Sequence, residues 1–191
     1  MLFDTCEDIV ISNKGNSDYK NFEFEIITSF SMTAPISEEQ FLETPESELT
    51  YNLYDALLKH YQEKTELNAQ MAFPVIKDVY ERPGNKFERI VVPFTDGVKS
   101  LNVVTNLKEA YESKGKHLIE DFERNITLAI IDEAWKDHLR KMDELKQSVQ
   151  LAVHEQKDPL LIYKFEAFEL FKNMLSQLNK EVLSFLIKGS L

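Results

Sequence analysis

The chain has 191 residues, 43% of them apolar, and carries 33 acidic against 22 basic side chains, a net charge of −11. A chain of this length can bury about two thirds of its unfolded surface, so its core needs no disulfide or metal staple, and its acidity disfavours binding to phosphate backbones or anionic lipid. The single cysteine, Cys6, excludes an internal disulfide and fits a cytosolic chain; no apolar run approaches the ~18 residues of a membrane span, and no basic segment with an apolar core follows Met1.

From Met1 to about Ile11, Leu2, Phe3, Cys6, Ile9 and Val10 recur at helical spacing, without a capping signal in front, as in a helix cut from a longer one. Ser12 to Ser17 reads as a loop and as the first domain boundary. Phe22 to Ile26 alternates as a strand would, but Ile27, Thr28 and Phe30 fit a helix nearly as well. Ser37-Glu38-Glu39-Gln40 is a capping box. Thr44-Pro45-Glu46 predicts a second start, with Thr44 as cap, and an apolar stripe follows through Leu49, Leu53, Leu57, Tyr61, Leu67 and Met71. Pro74 should kink this helix or open a new one. After the Pro83-Gly84-Asn85 turn, β-branched residues flank Asp96-Gly97, which predicts a β-hairpin. Thr105 or Asn106 can cap a further helix, which could run through Gly115 into the next element at a cost of roughly 1 kcal/mol relative to alanine.

The last third is the most patterned. Ile119, Phe122, Ile126, Ile131, Trp135, Leu139, Met142, Leu145 and Val149 recur at steps of mostly three or four, and so do Ile162, Phe165, Phe168, Phe171, Leu175, Leu178, Val182 and Phe185. Between them lies the break Gln156-Lys157-Asp158-Pro159. The pattern predicts two amphipathic helices folded back on each other with these stripes facing. Taken from His117 to Gln150, the first arm is about 50 Å long, so its tip, Val149 to Asp158, extends beyond a core of its own. On this reading Trp135, Phe165, Phe168 and Phe171 are interhelical core, and Trp135→Ala should cost about 3–5 kcal/mol. His138, beside the stripe, is expected to be a hydrogen-bonded structural histidine and Cys6 a buried small hydrophobe.

No constellation of catalytic residues emerges. The five glycines fit no phosphate-binding loop, no histidine pair has zinc-protease spacing, and one cysteine cannot build a cysteine-rich zinc site. Carboxylates alternate with lysines along the helices, with Asp132–Lys136 and Asp137–Lys141 spaced as i,i+4 pairs. The expectation is a chain with no catalytic, cofactor or metal site of its own.

Asp132-Glu133-Ala134-Trp135-Lys136-Asp137-His138-Leu139, Met142-Asp143, Gln156-Lys157-Asp158-Pro159, Tyr163-Lys164, Glu166, Phe168 and Leu170-Phe171 closely resemble the helical scaffold of the SecA family, the motor ATPases of bacterial preprotein translocation. Phe3 to Val10, Gln70 to Pro74 and Val92 to Gly97 are similar to its wing region. The resemblance implies a mainly α fold: a long scaffold hairpin with a smaller mixed wing that contains the β-hairpin. It divides the chain into the end of a first scaffold helix (1–12), a helical wing domain (13–115) and a two-helix finger (116–191).

The same resemblance implies that Val153, His154, Gln156 and Lys157 form a fingertip that touches unfolded preprotein or the Sec channel. The family's usual fingertip tyrosine falls on His154, and its usual arginine on Ala152, where a cation is lost. ATP and Mg would belong to the parent protein, and the partners would be its other domains, the channel and the preprotein. The parent would sit in the cytoplasm, peripheral at the inner face of the membrane. Two other readings start from the residues alone: a stand-alone helical adaptor that binds a protein through the hairpin tip, and, more weakly, a small helical enzyme.

Overall fold

The computed structural model describes residues 1–84, 86–151 and 158–191, with the side chains of all of these except Gln150 and Leu151. Among the described residues are seven helices, α1 (Leu2–Lys14), α2 (Tyr19–Phe30), α3 (Glu38–Glu43), α4 (Glu46–Glu81), α5 (Leu107–Glu112), α6 (Lys116–Leu151) and α7 (Pro159–Lys188). Between α4 and α5 lies one hairpin, β1 (Arg89–Thr95) with β2 (Ser100–Asn106). The fold is therefore mainly α with one β-hairpin. Packing divides it into two compact units: unit one is Met1–Ile126 with Leu183–Leu191, and unit two is Thr127–Val182. These units follow contact density, so their ends fall elsewhere than the ranges read from loops and resemblance.

Unit one is built around α1, α2 and α4. The segment that could be strand or helix is α2: Phe22, Ile26 and Phe30, at steps of four, are all buried, so the helical period wins. Asp18 caps it, its carboxylate accepting the Asn21 N–H at 3.0 Å. The capping box forms as expected. Ser37 Oγ accepts from the Gln40 N–H at 3.3 Å, and the Ser37 N–H donates to Gln40 Oε1 at 3.1 Å. Thr44 does not cap α4; it closes α3, its N–H donating to the Gln40 carbonyl at 3.0 Å, and α4 begins at Glu46 after Pro45.

The first half of α4 buries Leu49, Leu53 and Leu57 with Cys6, Ile9 and Val10 of α1. Its second half departs from the expected stripe. Leu67 and Met71 are exposed, and Asn68, Ala69, Ala72 and Ile76 are buried instead. Small residues win there because the backbone of another element comes close: a Cβ on Gly115 would stand 2.6 Å from the Ala69 carbonyl oxygen. The helix stays continuous through Pro74.

The β-hairpin pairs Arg89–Thr95 with Ser100–Asn106, and Phe94 and Val103 point into the core of unit one. Its turn is set by Asp96, whose carboxylate accepts from the Val98 and Lys99 N–H groups, and by Gly97 at φ 91°. Asn106, rather than Thr105, caps α5. The chain does not run straight on into α6: Lys114 (φ 55°) and Gly115 (φ 89°) are both left-handed and separate the two helices. The end of α7 returns to this unit. Phe122 stacks on Phe94 at 4.3 Å and meets Phe185 at 6.3 Å, while Ser190 exchanges two backbone hydrogen bonds of 2.9 Å with Thr95 at the free edge of β1.

Candidate functional site

Unit two consists of α6 from Thr127 onward and α7 up to Val182. Burial marks the inner seam of α6 at Ile130, His138, Leu145 and Val149, with Ala134 and Met142 half-buried between them. On α7 the more covered positions are Tyr163, Ala167, Leu170, Met174, Leu178 and Val182. The expected stripes hold at Met142, Leu145 and Val149 and at Ile162, Leu178, Val182 and Phe185, but between Ile131 and Leu139 and between Phe165 and Leu175 the seam is shifted by about one residue in phase. Trp135 is 47% exposed, Ile131 and Leu139 are exposed beside it, and Phe165, Phe168 and Phe171 are 66%, 62% and 41% exposed. None of these is interhelical core.

The reason is the width of the apolar band. On α6 two neighbouring lines, 130-134-138 and 131-135-139, compete for the seam, and the line with Ala134 and His138 takes it. Small Ala134 suits close helix approach, whereas the bulky Trp135 is left outside. The displaced residues are ordered. At about 100° per residue, Leu128, Ile131, Trp135 and Leu139 lie roughly 90° ahead of the α6 seam, and Leu161, Phe165, Phe168, Phe171 and Leu175 lie about as far ahead of the α7 seam. The helices run antiparallel, with His138 facing Phe171 at 5.8 Å between ring centres. In an antiparallel pair, equal offsets in the same sense fall on the same side. Both lines therefore form one uncovered apolar face, larger than single surface hydrophobics explain.

At its border sits His138. It is 7% exposed, with the Trp135 ring at 5.6 Å and Phe171 on the other side, and its Nδ1 is buried without a hydrogen-bond partner. The expected hydrogen-bonded histidine is thus buried, but at Nδ1 it is unsatisfied. Elsewhere on α6, Asp132 pairs with Lys136 at 2.5 Å and Asp137 with Lys141 at 2.8 Å, as the spacing predicted. The Lys141 hydrogen bond, helped by Arg140, holds the Asp137 carboxyl below the usual carboxylate range.

The four residues expected at the tip, Val153, His154, Gln156 and Lys157, and with them Ala152, lie outside the described residues. In unit one, His117 gathers carboxylates, with Nε2 at 2.9 Å from Glu109 and 3.3 Å from Asp121 and Nδ1 at 3.3 Å from Glu120. These contacts tie α5 to the start of α6. Among the described residues no three histidine, cysteine or carboxylate side chains are placed to hold a metal ion. No described helix is long and apolar enough to cross a membrane. The glycines do not form a phosphate cradle: Gly84 and Gly97 shape turns, Gly115 is pressed against Ala69, and Gly189 lies against the Phe122 ring.

The α6–α7 hairpin of unit two thus covers one seam and leaves a flank of aromatic and aliphatic side chains open. The chain belongs to the SecA wing and scaffold domain family, whose model matches residues 1–190. It is 65% identical over all 191 residues to a protein translocase subunit SecA of Flavobacterium psychrophilum, 64% to that of Christiangramia forsetii and 42% to that of Bacteroides fragilis. In each case the whole chain is covered, and it spans 17% of the relative's length.

Proposed function

We propose that the chain acts as the wing and scaffold portion of an ATP-driven preprotein translocase, coupling and regulating the motor while holding no catalytic site itself. Carrying this reading is the match over residues 1–190 to a domain of SecA, together with relatives named protein translocase subunit SecA. The uncovered face of unit two supports it. A hairpin that leaves Trp135, Phe165 and Phe168 in water is incomplete by itself, and the relatives are nearly six times longer. The first partners are then the other domains of the same polypeptide, and a helix lying on that face would remove the large rings from solvent. Nucleotide and Mg would be held by those other domains. The further partners would be the Sec channel and the unfolded preprotein, engaged by Val153, His154, Gln156 and Lys157, and the parent would work at the cytoplasmic face of the membrane.

Two measurements test this. Titrating the 191-residue chain with a fluorescent ATP analogue should give no saturable binding, while the full-length protein should bind; micromolar binding to the chain alone would overturn the assignment of catalysis elsewhere. In the full-length protein, His154→Ala should leave the melting temperature unchanged and slow preprotein transport into vesicles, and His154→Tyr should be tolerated. Transport at the parent rate with alanine would remove His154 from the contact.

A further inference from the structure

The β-hairpin of unit one has an outer edge that is occupied at one position only. Thr95 donates its N–H to the Ser190 carbonyl and accepts the Ser190 N–H, both at 2.9 Å, the exchange that marks a hydrogen-bonded pair of antiparallel strands. Backbone groups alternate in direction along a strand. With Thr95 turned away from β2, Pro93, Val91 and Arg89 are turned away as well, while Phe94, Val92 and Ile90 face it. Beyond Thr95 the edge therefore offers the carbonyl of Pro93 and both the N–H and the carbonyl of Val91. Val91 and Pro93 are exposed, and Arg89, at the far end, is the only charge in β1. Edges left open to water are normally blunted by charge, proline or shortness. Here Pro93 blunts a single position by withholding one donor, which a sheet tolerates on an outer edge.

Tight anchoring leads the chain from α7 to this edge. A Cβ on Gly189 would stand 2.7 Å from the Phe185 carbonyl oxygen and 2.8 Å from the Phe122 ring, so the chain leaves the helix pressed against the core. The Lys188 carbonyl accepts from Lys64, and the Gly189 carbonyl from Asn68 at 3.1 Å. These contacts hold Ser190 on β1 and set the direction of travel, antiparallel to β1, from Thr95 toward Arg89.

We propose that the polypeptide following Leu191 in the full-length protein continues as a third strand along the outer edge of β1, so that the wing clips the chain as it leaves the scaffold hairpin. This assignment rests on the reading of the chain as part of a longer translocase, since it spans 17% of its relatives' length, and is independent of the fingertip contact. Counting from the Thr95–Ser190 pair, Leu191 lies opposite Phe94, the first residue after it opposite Pro93 and the third opposite Val91. The first donates its N–H to the Pro93 carbonyl and receives no bond in return; the third exchanges two bonds with Val91. Opposite residues of an antiparallel pair share a face of the sheet. The second residue after Leu191 therefore falls beside Val92, on the face that buries Phe94, and is expected to be apolar. A two-stranded hairpin is marginal by itself, and a third strand completes it.

Hydrogen–deuterium exchange at the Val91 amide reads the third strand directly, and Val92 is the control because its N–H faces β2. Three proteins are compared: the 191-residue chain, the full-length protein, and the full-length protein with a stop codon after Leu191. Val91 should exchange about tenfold or more slower in the full-length protein than in either protein that ends at Leu191, with Val92 alike in all three. Fast exchange of Val91 in the full-length protein overturns the third strand. Slow exchange that survives the stop codon would mean a strand supplied by another part of the polypeptide or by a second copy, and overturns the assignment to the chain after Leu191. Val91→Pro removes the outward N–H and leaves the bonds to β2 in place. In the full-length protein it should make the chain beyond Leu191 several-fold more sensitive to limited proteolysis while Val92 stays protected. Unchanged cleavage with Val92 still protected overturns the proposal; if Val92 loses protection as well, the hairpin itself has opened and the stop-codon comparison decides. Nucleotide binding by the full-length protein, which tests the translocase reading, does not depend on any of these outcomes.

Discussion

The turns of α6 before Ile126 and those after it belong to one helix of similar apolar content, yet they are buried differently. Leu118, Phe122 and Ile126 are covered within unit one, whereas Leu128, Ile131, Trp135 and Leu139 in unit two are all more than 40% exposed. In unit one the helix has neighbours on several sides: Phe94 of the β-hairpin stacks on Phe122, and Phe185 approaches it from the end of α7. In unit two the described neighbour is α7, and two helices side by side share a single seam. Burial is thus decided by the number of layers around a helix rather than by how apolar its sequence is.

The contrast can be tested by mutation, and the largest effect should come from unit one. Phe122→Ala removes a fully buried ring with aromatic neighbours on two elements and should destabilise the chain by about 3–5 kcal/mol in denaturant unfolding. A shift under about 1 kcal/mol would mean that unit one is as loosely covered as unit two. Gly115→Ala should cost about 3 kcal/mol, since it forces a left-handed φ of 89° and brings a Cβ to 2.6 Å from the Ala69 carbonyl. Retention of full stability would show that the α5–α6 turn can relax.

Cys6 reports on the same core through pH. Burial pushes its thiol from 9.0 up to about 12. Below the unfolded value the thiol is neutral in both states and its contribution is complete. Between about 9 and about 12 only the unfolded chain loses the proton, so stability should fall as pH rises through this window, by up to about 1.4 kcal/mol per pH unit. Cys6→Ser should flatten that slope, and an unchanged slope would assign it to other groups. Trp135→Ala should cost only about 1–2 kcal/mol in the isolated chain, well below the value expected of a core ring, because the side chain is half exposed. A loss of 3 kcal/mol or more would put Trp135 back in the seam. Phe165→Ala should be nearly silent, within about 0.5 kcal/mol.

What could be read from the sequence follows the range of the forces involved. Most short-range signals held, the Thr44 cap excepted: the Ser37–Gln40 capping box, the Asp96-Gly97 hairpin turn and the Asp132–Lys136 pair each depend on residues within four of one another. Phase did not hold. Where α6 offers two adjacent apolar lines, the chosen seam depends on what the opposite helix brings, and the line with the lower hydrophobicity, containing Ala134 and His138, is the covered one. The same happens on α4, where Ala69 and Ala72 displace Leu67 and Met71 because closeness of backbones counts for more than side-chain size. The α5–α6 break depends on Lys114 taking a left-handed φ, a conformation for which lysine carries no sequence signal. Of the site, the aromatic residues were legible as a group, but their exposure was not, and the unsatisfied Nδ1 of His138 has no sequence counterpart.

The return of α7 to unit one sets an order of assembly. Leu183 and Ile187 join the core made with α1, α2 and α4, and Lys64 and Asn68 of α4 donate to the carbonyls of Lys188 and Gly189, across sequence separations of 124 and 121 residues. A nascent chain that has emerged only as far as Ile126 therefore lacks part of the core it must close, and the missing part arrives after the 56 residues of unit two. Contacts of such separation slow folding, because the intervening chain must be closed into a loop before they are gained. Prior pairing of α6 with α7 shortens that effective loop, so it should precede closure of unit one. The half-covered hairpin thus serves as the guide that brings Leu183–Leu191 to the core that awaits them.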